Sequence, residues 1–370
     1  MIKVLHILQD INSGGVERRR LSIAKRINTS EFELKIICIN AKNDIPELIK
    51  NCGVEVIELK TYSGPFDWSA HKKVQKIISD YKPDIIHGAV FEGVTLAAVN
   101  GFIKRVPHII IEETSDPIRR SWRGHLLMKL FSSLSHYVVG VSQASTNYLQ
   151  HKINLPKHKV KLIQNGVKSA KTYSDEVLVE LKKQYNITNN DFVFVSAGRM
   201  NTEYPKNFSF LIRAFANVAQ TNNNAKLILI GDGNMLDEYK KLAVELNVAN
   251  QIIFPGYQGE VDKFFAISNV FCLFSVSESF GLAAVEAQMN KIPAIVSQVG
   301  GLQYTVVTNK SGFVVPSNDL DAATNAMLYA INNPEKMIEM GNFAFEYVNQ
   351  NFHENHYVDN LFNFYRDILK

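Results

Sequence analysis

Glu278 and Glu286 stand eight positions apart in Ser277-Glu278-Ser279-Phe280-Gly281-Leu282-Ala283-Ala284-Val285-Glu286, a segment that leaves an apolar strand and enters a helix. A helix begins with unpaired N–H groups and the positive end of its dipole, so an anion can settle there. Gly281 keeps that start clear of a side chain. A carboxylate at the lip and another along the first turns can accept hydrogen bonds from hydroxyls on either side of a bound phosphate. One carboxylate for a sugar, a backbone cradle for phosphate and one for a ribose is what a nucleotide-sugar site requires. The plain alternative is that Glu278 caps the helix and Glu286 lies on a solvated face. The spacing alone does not separate the two.

The elements that must hold these residues are short apolar runs alternating with helical stretches, the signature of βα units around parallel sheets. Strands are expected near 3–8, 33–39, 54–59, 84–88, 108–113, 136–141 and 160–164, then near 191–197, 225–231, 251–254, 270–274, 293–296 and 313–315. Phe192 to Ala197 is a buried strand ending at Gly198-Arg199, and Lys206-Asn207 opens the next helix. Leu227 to Ile230 is closed by Gly231-Asp232-Gly233, and the strand ending at Ser297 leads to Gly300-Gly301. A dinucleotide fingerprint would need a third glycine where Leu236 stands, so that reading is weak. With 370 residues the chain exceeds what one hydrophobic core usually supports.

This order of motifs resembles the donor half of the retaining GT-B glycosyltransferases, in particular glycosyltransferase family 4 (glycosyl transferases group 1). Ser13-Gly14-Gly15-Val16-Glu17-Arg18 resembles that family's Gly-Gly loop, and Asn165-Gly166-Val167 its turn between the halves. The resemblance implies an α/β GT-B fold, two Rossmann-like β/α/β domains facing across a donor/acceptor cleft. Residues 1–167 would bind the acceptor and 168–345 the nucleotide-sugar, while the helix 346–370 crosses back to the first domain. It also implies the roles of residues. Glu278, Arg199 and Lys206 would be catalytic, Glu278 on the sugar hydroxyls and the two cations on the leaving diphosphate. Glu286 would take the ribose. Gly14, Gly15, Gly231, Phe280, Gly281 and Leu282 would complete the donor site.

Five places depart from the family or leave two readings open. In Ile111-Glu112-Glu113-Thr114-Ser115-Asp116-Pro117, Glu113 or Thr114 stands where many members have a histidine. Glu113, Thr114 and Asp116 are therefore acceptor-side candidates, or caps for a helix at Ile118. Tyr304 replaces an acid common after Gly300-Gly301-Leu302. The Met200–Pro205 loop before Lys206 is longer than the commonest family spacing. Gly14-Gly15 also fits a plain tight turn, and Arg18-Arg19-Arg20 after it reads as a solvated face. Ile118, Trp122, Leu126, Leu130 and Leu134 recur every four residues among Arg119, Arg120, Arg123 and Lys129. That stripe fits a core-facing helix with a cationic outer face, and the alternative is a membrane-surface helix.

Composition limits the remaining classes. The net charge of +4 is mild and no basic, aromatic-interleaved stripe of a nucleic-acid binder stands out. Cys38, Cys52 and Cys272 are scattered, without metal-ligand spacing, which suits a reducing cytoplasm. Asp319-Leu320-Asp321 is formally a D-x-D metal motif, but its place at a helix start fits N-capping. No metal and no cofactor are expected. No run of about 20 apolar residues spans a bilayer and no signal segment opens the chain. The expectation is a cytoplasmic transferase, with peripheral contact at the inner membrane face as an option. It would move a hexosyl unit from a nucleotide-sugar, taken as UDP-linked, to a sugar or lipid-linked acceptor in polysaccharide or glycoconjugate synthesis. The rivals are a sugar-nucleotide epimerase of the same fold and a non-catalytic nucleotide-sugar-binding partner of another transferase.

Overall fold

The computed structural model describes residues 1–12, 14–116, 120–202 and 206–370. Two compact units result, Met1–Gly166 with Glu354–Lys370, and Val167–His353. Ser13, Ile118, Arg119 and Pro205, on which some expectations fall, lie outside the described residues.

The first unit begins with β1 (Ile2–Ile7), β2 (Asp10–Ile11), α1 (Gly15–Arg26), β3 (Phe32–Cys38), β4 (Asn40–Ala41), α2 (Ile45–Lys50) and β5 (Glu55–Glu58). It continues through α3 (Trp68–Tyr81), β6 (Ile85–Ala89), α4 (Val90–Ile103), β7 (His108–Glu113), α5 (Trp122–Leu134), β8 (Tyr137–Gly140), α6 (Gln143–Asn147) and β9 (Val160–Leu162). Seven of these strands form one sheet in the order β5-β3-β1-β6-β7-β8-β9, every pair parallel. Strands such as Ile85-Ile86 and Ile109-Ile110-Ile111 are buried, as expected when helices cover both faces. The tiny β2–β4 pair carries no periodic signal in the sequence.

The second unit runs α7 (Asp175–Gln184), β10 (Phe192–Ala197), α8 (Phe208–Ala219), β11 (Ala225–Ile230), α9 (Leu236–Glu245), β12 (Ile252–Gly256) and α10 (Asp262–Ala266). Then come β13 (Val270–Leu273), α11 (Leu282–Met289), β14 (Ala294–Ser297), β15 (Gly312–Val315), α12 (Leu320–Asn332) and α13 (Pro334–Phe352). Its six strands are parallel, in the order β12-β11-β10-β13-β14-β15. The order reverses at the β10–β13 pair. Ligands of open α/β sheets bind outside the carboxyl ends of the strands at such a switch point.

The last helix, α14 (Glu354–Ile368), belongs to the first unit, where Tyr357, Val358, Leu361 and Tyr365 join the core under α1 and β3. The return was expected at 346. Instead α13 runs unbroken to Phe352, whose ring is buried edge-on to Phe280 at 5.4 Å, so the chain leaves the second unit only after His353.

The α5 stripe corrects a second expectation. Met128 and Phe131 face the core, while Trp122, Leu126 and Leu130 are 70, 60 and 50% exposed. The four-residue repeat was the outer face of the helix. The inner face is set by the shorter spacing from Met128 to Phe131.

Candidate functional site

Strands β10 and β13 pair side by side, with Phe194 opposite Val270 and Val195 opposite Phe271. The segments leaving their carboxyl ends therefore emerge together. The first carries Gly198, Arg199 and, before α8, Lys206; the second carries Ser275 to Gly281 into α11. There the Lys206 ammonium donates to the Glu278 carboxylate at 2.7 Å, both side chains largely sheltered.

Glycines let four loops close around this pair. A Cβ on Gly198 would sit 3.1 Å from the Lys206 side chain. Gly231, at φ +142°, lies so close to Gly198 that a side chain would strike the Gly198 carbonyl oxygen. Met200 N–H bonds the Asp232 carbonyl at 2.9 Å, tying the β10 and β11 loops together. On the other side Gly301 N–H bonds the Glu278 carbonyl at 2.8 Å, and a side chain on Gly301 would strike Ser279. Gly281 caps α11 at φ +99°, a left-handed conformation that suits glycine, and a Cβ there would meet Leu302 Cδ1 at 2.5 Å.

Glu286 lies half-buried in the second turn of α11, and Arg199 is exposed beside Gly198. Phe280 is different. Its side chain is buried among Val167, Val285, Met289 and Val348, with Leu282 packed beside them, so Phe280 can offer a ligand only its backbone. Tyr304 is exposed. The Asp319 carboxylate accepts the Ala322 N–H at 2.9 Å and caps α12. Among the described residues no group of three or more His, Cys, Asp or Glu is placed to hold a metal.

The other sequence candidates lie in the first unit. Gly14 precedes α1 in extended conformation and Gly15 is its first residue. Glu113 is buried at the end of β7. Arg120 grips its carboxylate with both terminal nitrogens, at 2.7 and 2.9 Å, and the Ser115 hydroxyl adds a bond at 2.7 Å. A carboxylate held this way is compensated charge rather than an open base. Thr114 and Asp116 are partly exposed beyond it.

Sequence reasoning missed a buried polar cluster and misplaced two of its members. Arg19 and Arg20 are buried, not solvated, because both turn inward onto Glu112, at 3.2 and 2.8 Å. Arg20 also reaches the Tyr357 hydroxyl at 3.3 Å. The Tyr365 hydroxyl sits 2.9 Å from His6 Nε2 and 2.6 Å from His87 Nδ1. One hydroxyl can donate only once, so one ring must supply an N–H. The arrangement in which Tyr365 donates to His87 Nδ1 and accepts from His6 Nε2–H leaves the His87 Nε2–H directed at Glu112, 3.6 Å away. Burial pushes the Glu112 carboxyl up, but Arg20 and Arg19 outweigh it and hold it at about 2. Burial lowers His87 to about 3, so both histidine rings here are neutral at pH 7. An acid within an otherwise apolar run, Ile109-Ile110-Ile111-Glu112, was the available signal.

Comparison with known proteins decides the family. The "Glycosyltransferase Family 4" model matches residues 13–171 and the "Glycosyl transferases group 1" model residues 179–347. The chain is a family 4 glycosyltransferase of the GT-B class. The transferase is 26% identical over 236 residues to N-acetyl-alpha-D-glucosaminyl L-malate synthase of Bacillus anthracis, covering 64% of this chain and 61% of that protein. It thus spans less than two thirds of that relative. It is 28% identical over 174 residues, 46% of this chain and 44% of the other, to an Escherichia coli UDP-Gal:alpha-D-GlcNAc-diphosphoundecaprenol alpha-1,3-galactosyltransferase. In fold it is similar to Anabaena HepE, solved in complex with UDP and glucose, with a TM-score of 0.86 at 21% identity over 99% of this chain and 100% of the other.

Proposed function

We propose that the transferase moves a sugar from a UDP-sugar to an acceptor hydroxyl with retention at the anomeric carbon. The observation that carries this reading is the Lys206–Glu278 pair at the β10–β13 switch point, set before a glycine-capped helix. Glu278 would accept hydrogen bonds from sugar hydroxyls and Glu286 from the ribose. Arg199, Lys206 and the N–H groups at Gly281 and Leu282 would hold the diphosphate. The anomeric carbon–diphosphate bond breaks and the bond to the acceptor oxygen forms on the same face, the acceptor's proton passing to the departing phosphate oxygen. No protein nucleophile is then needed. Arg199 and Lys206 supply the stabilising charge, so transfer is metal-independent and survives EDTA.

UDP is favoured by the UDP complex of HepE and by the UDP-galactose donor in the E. coli relative's name. That same name favours an acceptor borne on a lipid diphosphate, and hence a place in cell-surface polysaccharide or glycoconjugate synthesis. Thermal-shift measurement with UDP-, GDP- and ADP-sugars, followed by transfer assays with labelled donor, tests the proposal. A matching donor at about 100 times its Kd stabilises by about 2.7 kcal/mol. Release of an epimer instead of transfer, or a requirement for added magnesium or manganese, would overturn the corresponding part.

A further inference from the structure

The exposed face of α5 has no partner among the described residues. At 3.6 residues per turn, Trp122, Leu126 and Leu130 share one stripe, with Arg123 on one side and Lys129 on the other. The Arg123 guanidinium lies 5.3 Å over the Trp122 ring. On the neighbouring helix α4, the last residues Phe102 and Ile103 are also exposed and are followed by exposed Lys104 and Arg105. Single exposed apolar residues are ordinary; a stripe of three is not.

Charge along this part of the first unit is one-sided. Residues 93–166 contain ten Lys and Arg against three acids, Glu112, Glu113 and Asp116. Two of the three are buried and neutralised by Arg19, Arg20 and Arg120. The exposed charges on α5 and just after α4, Arg123, Lys129, Lys104 and Arg105, are all cationic, although the whole chain carries only +4. An amphipathic helix with large apolar residues outward and cations along its flanks is built to lie in a headgroup layer, its apolar stripe in the acyl boundary.

We propose that this face, Trp122, Leu126 and Leu130 with Arg123 and Lys129, docks on a bilayer containing anionic phospholipid. The cations meet the negative headgroups while the stripe enters the interface. Delivery of a lipid-borne acceptor to the first unit would follow, and only that consequence rests on the transferase reading; docking itself does not.

The chain has two tryptophans, Trp68 and Trp122, so Trp68→Phe leaves Trp122 as the single fluorescent reporter. With vesicles of phosphatidylglycerol and phosphatidylcholine, the full chain is expected to co-sediment, with its emission shifted to the blue and quenched by brominated acyl chains. Phosphatidylcholine alone should do neither. Arg123→Gln and Lys129→Gln should each weaken vesicle binding by about fivefold, the scale of one basic residue at an anionic surface. Leu126→Ser should weaken it as well, while melting temperature and nucleotide-sugar stabilisation stay unchanged, since the residue is exposed. Three results would overturn the proposal: no co-sedimentation, binding that leaves Trp122 unquenched and insensitive to Leu126→Ser, or a lipid-free blue shift rising with protein concentration. The last would assign the face to a second copy of the chain. Loss of docking with donor binding intact refutes this inference alone; docking without any donor binding refutes the transferase reading alone.

Discussion

Lys206 and Glu278, separated by 72 positions, meet in an ion pair of 2.7 Å where the loops after β10 and β13 converge. Each is a group that the proposed chemistry needs, one for phosphate and one for sugar hydroxyls, and each holds the other in place. Lys206→Ala is expected to lower kcat/KM by about 10² to 10³, the scale for losing one preorganised electrostatic contact. Because the pair is coupled, Lys206→Ala and Glu278→Gln combined should cost less than the sum of the single effects. Wild-type kinetics in Lys206→Ala would remove the lysine from the mechanism.

Glu286 and Glu278 should separate kinetically. A ribose contact is similar in the ground and transition states, whereas contacts to the sugar change as its ring flattens toward an oxocarbenium ion. Glu286→Gln is expected to raise the donor KM with little change in kcat, and Glu278→Gln to lower kcat. Equal effects of both variants on both constants would refute the two assignments.

Glu112 should be a residue of stability. Its carboxylate is the counter-charge for two buried guanidinium groups. Removing one side of a buried pair leaves charge uncompensated, so Glu112→Gln is expected to cost about 3–5 kcal/mol in unfolding free energy. Denaturant unfolding measures this directly, and a loss below about 1 kcal/mol would mean that the arginines find water or other partners.

Acid should weaken the first unit before it reaches ordinary carboxylate range. Burial, its largest influence, holds His87 at about 3, below the usual 6.5. Between those values the unfolded chain binds a proton that the folded one does not. Stability is therefore complete above about pH 6.5 and falls as pH drops through that window, by up to about 1.4 kcal/mol per pH unit. His6, lowered by burial, by Arg20 and by His87, acts in the same direction. Glu112, with its carboxyl at about 2 against 4.5, extends the loss at lower pH. Melting temperatures measured from about pH 7.5 down to 5 should fall, and His87→Gln should flatten the slope even though it lowers the starting value. Parallel slopes would place the proton uptake elsewhere.

The strands of both sheets were legible because parallel strands buried on both faces are plain apolar runs, as in Ile85-Ile86 and Phe192 to Val195. The loops around Lys206 and Glu278 were legible for a different reason: glycines at 198, 231, 281 and 301 mark places where the loops pack too closely for a side chain. What escaped were facts about direction. Nothing in Arg18-Arg19-Arg20 distinguishes the two side chains that turn inward, since their partner Glu112 lies more than 90 positions away. The α5 repeat failed similarly, because periodicity identifies one face of a helix without saying whether that face is covered. Phe280 looked like part of a binding loop until α13 supplied Phe352 to pack against it.

The place of α14 bears on the order in which the molecule can form. Tyr357, Leu361 and Tyr365 fill the core of the first unit, and Tyr365 is the hydroxyl between His6 and His87. On a ribosome, domains ordinarily fold as they emerge, amino-terminal first. Here the unit that emerges first lacks its closing helix until Glu354–Ile368 has been made, whereas the second unit is continuous from Val167 to His353. The unit translated second is thus the first that can be completed. The earlier one must wait, with β1, β3 and α1 uncovered, for residues more than 300 positions downstream.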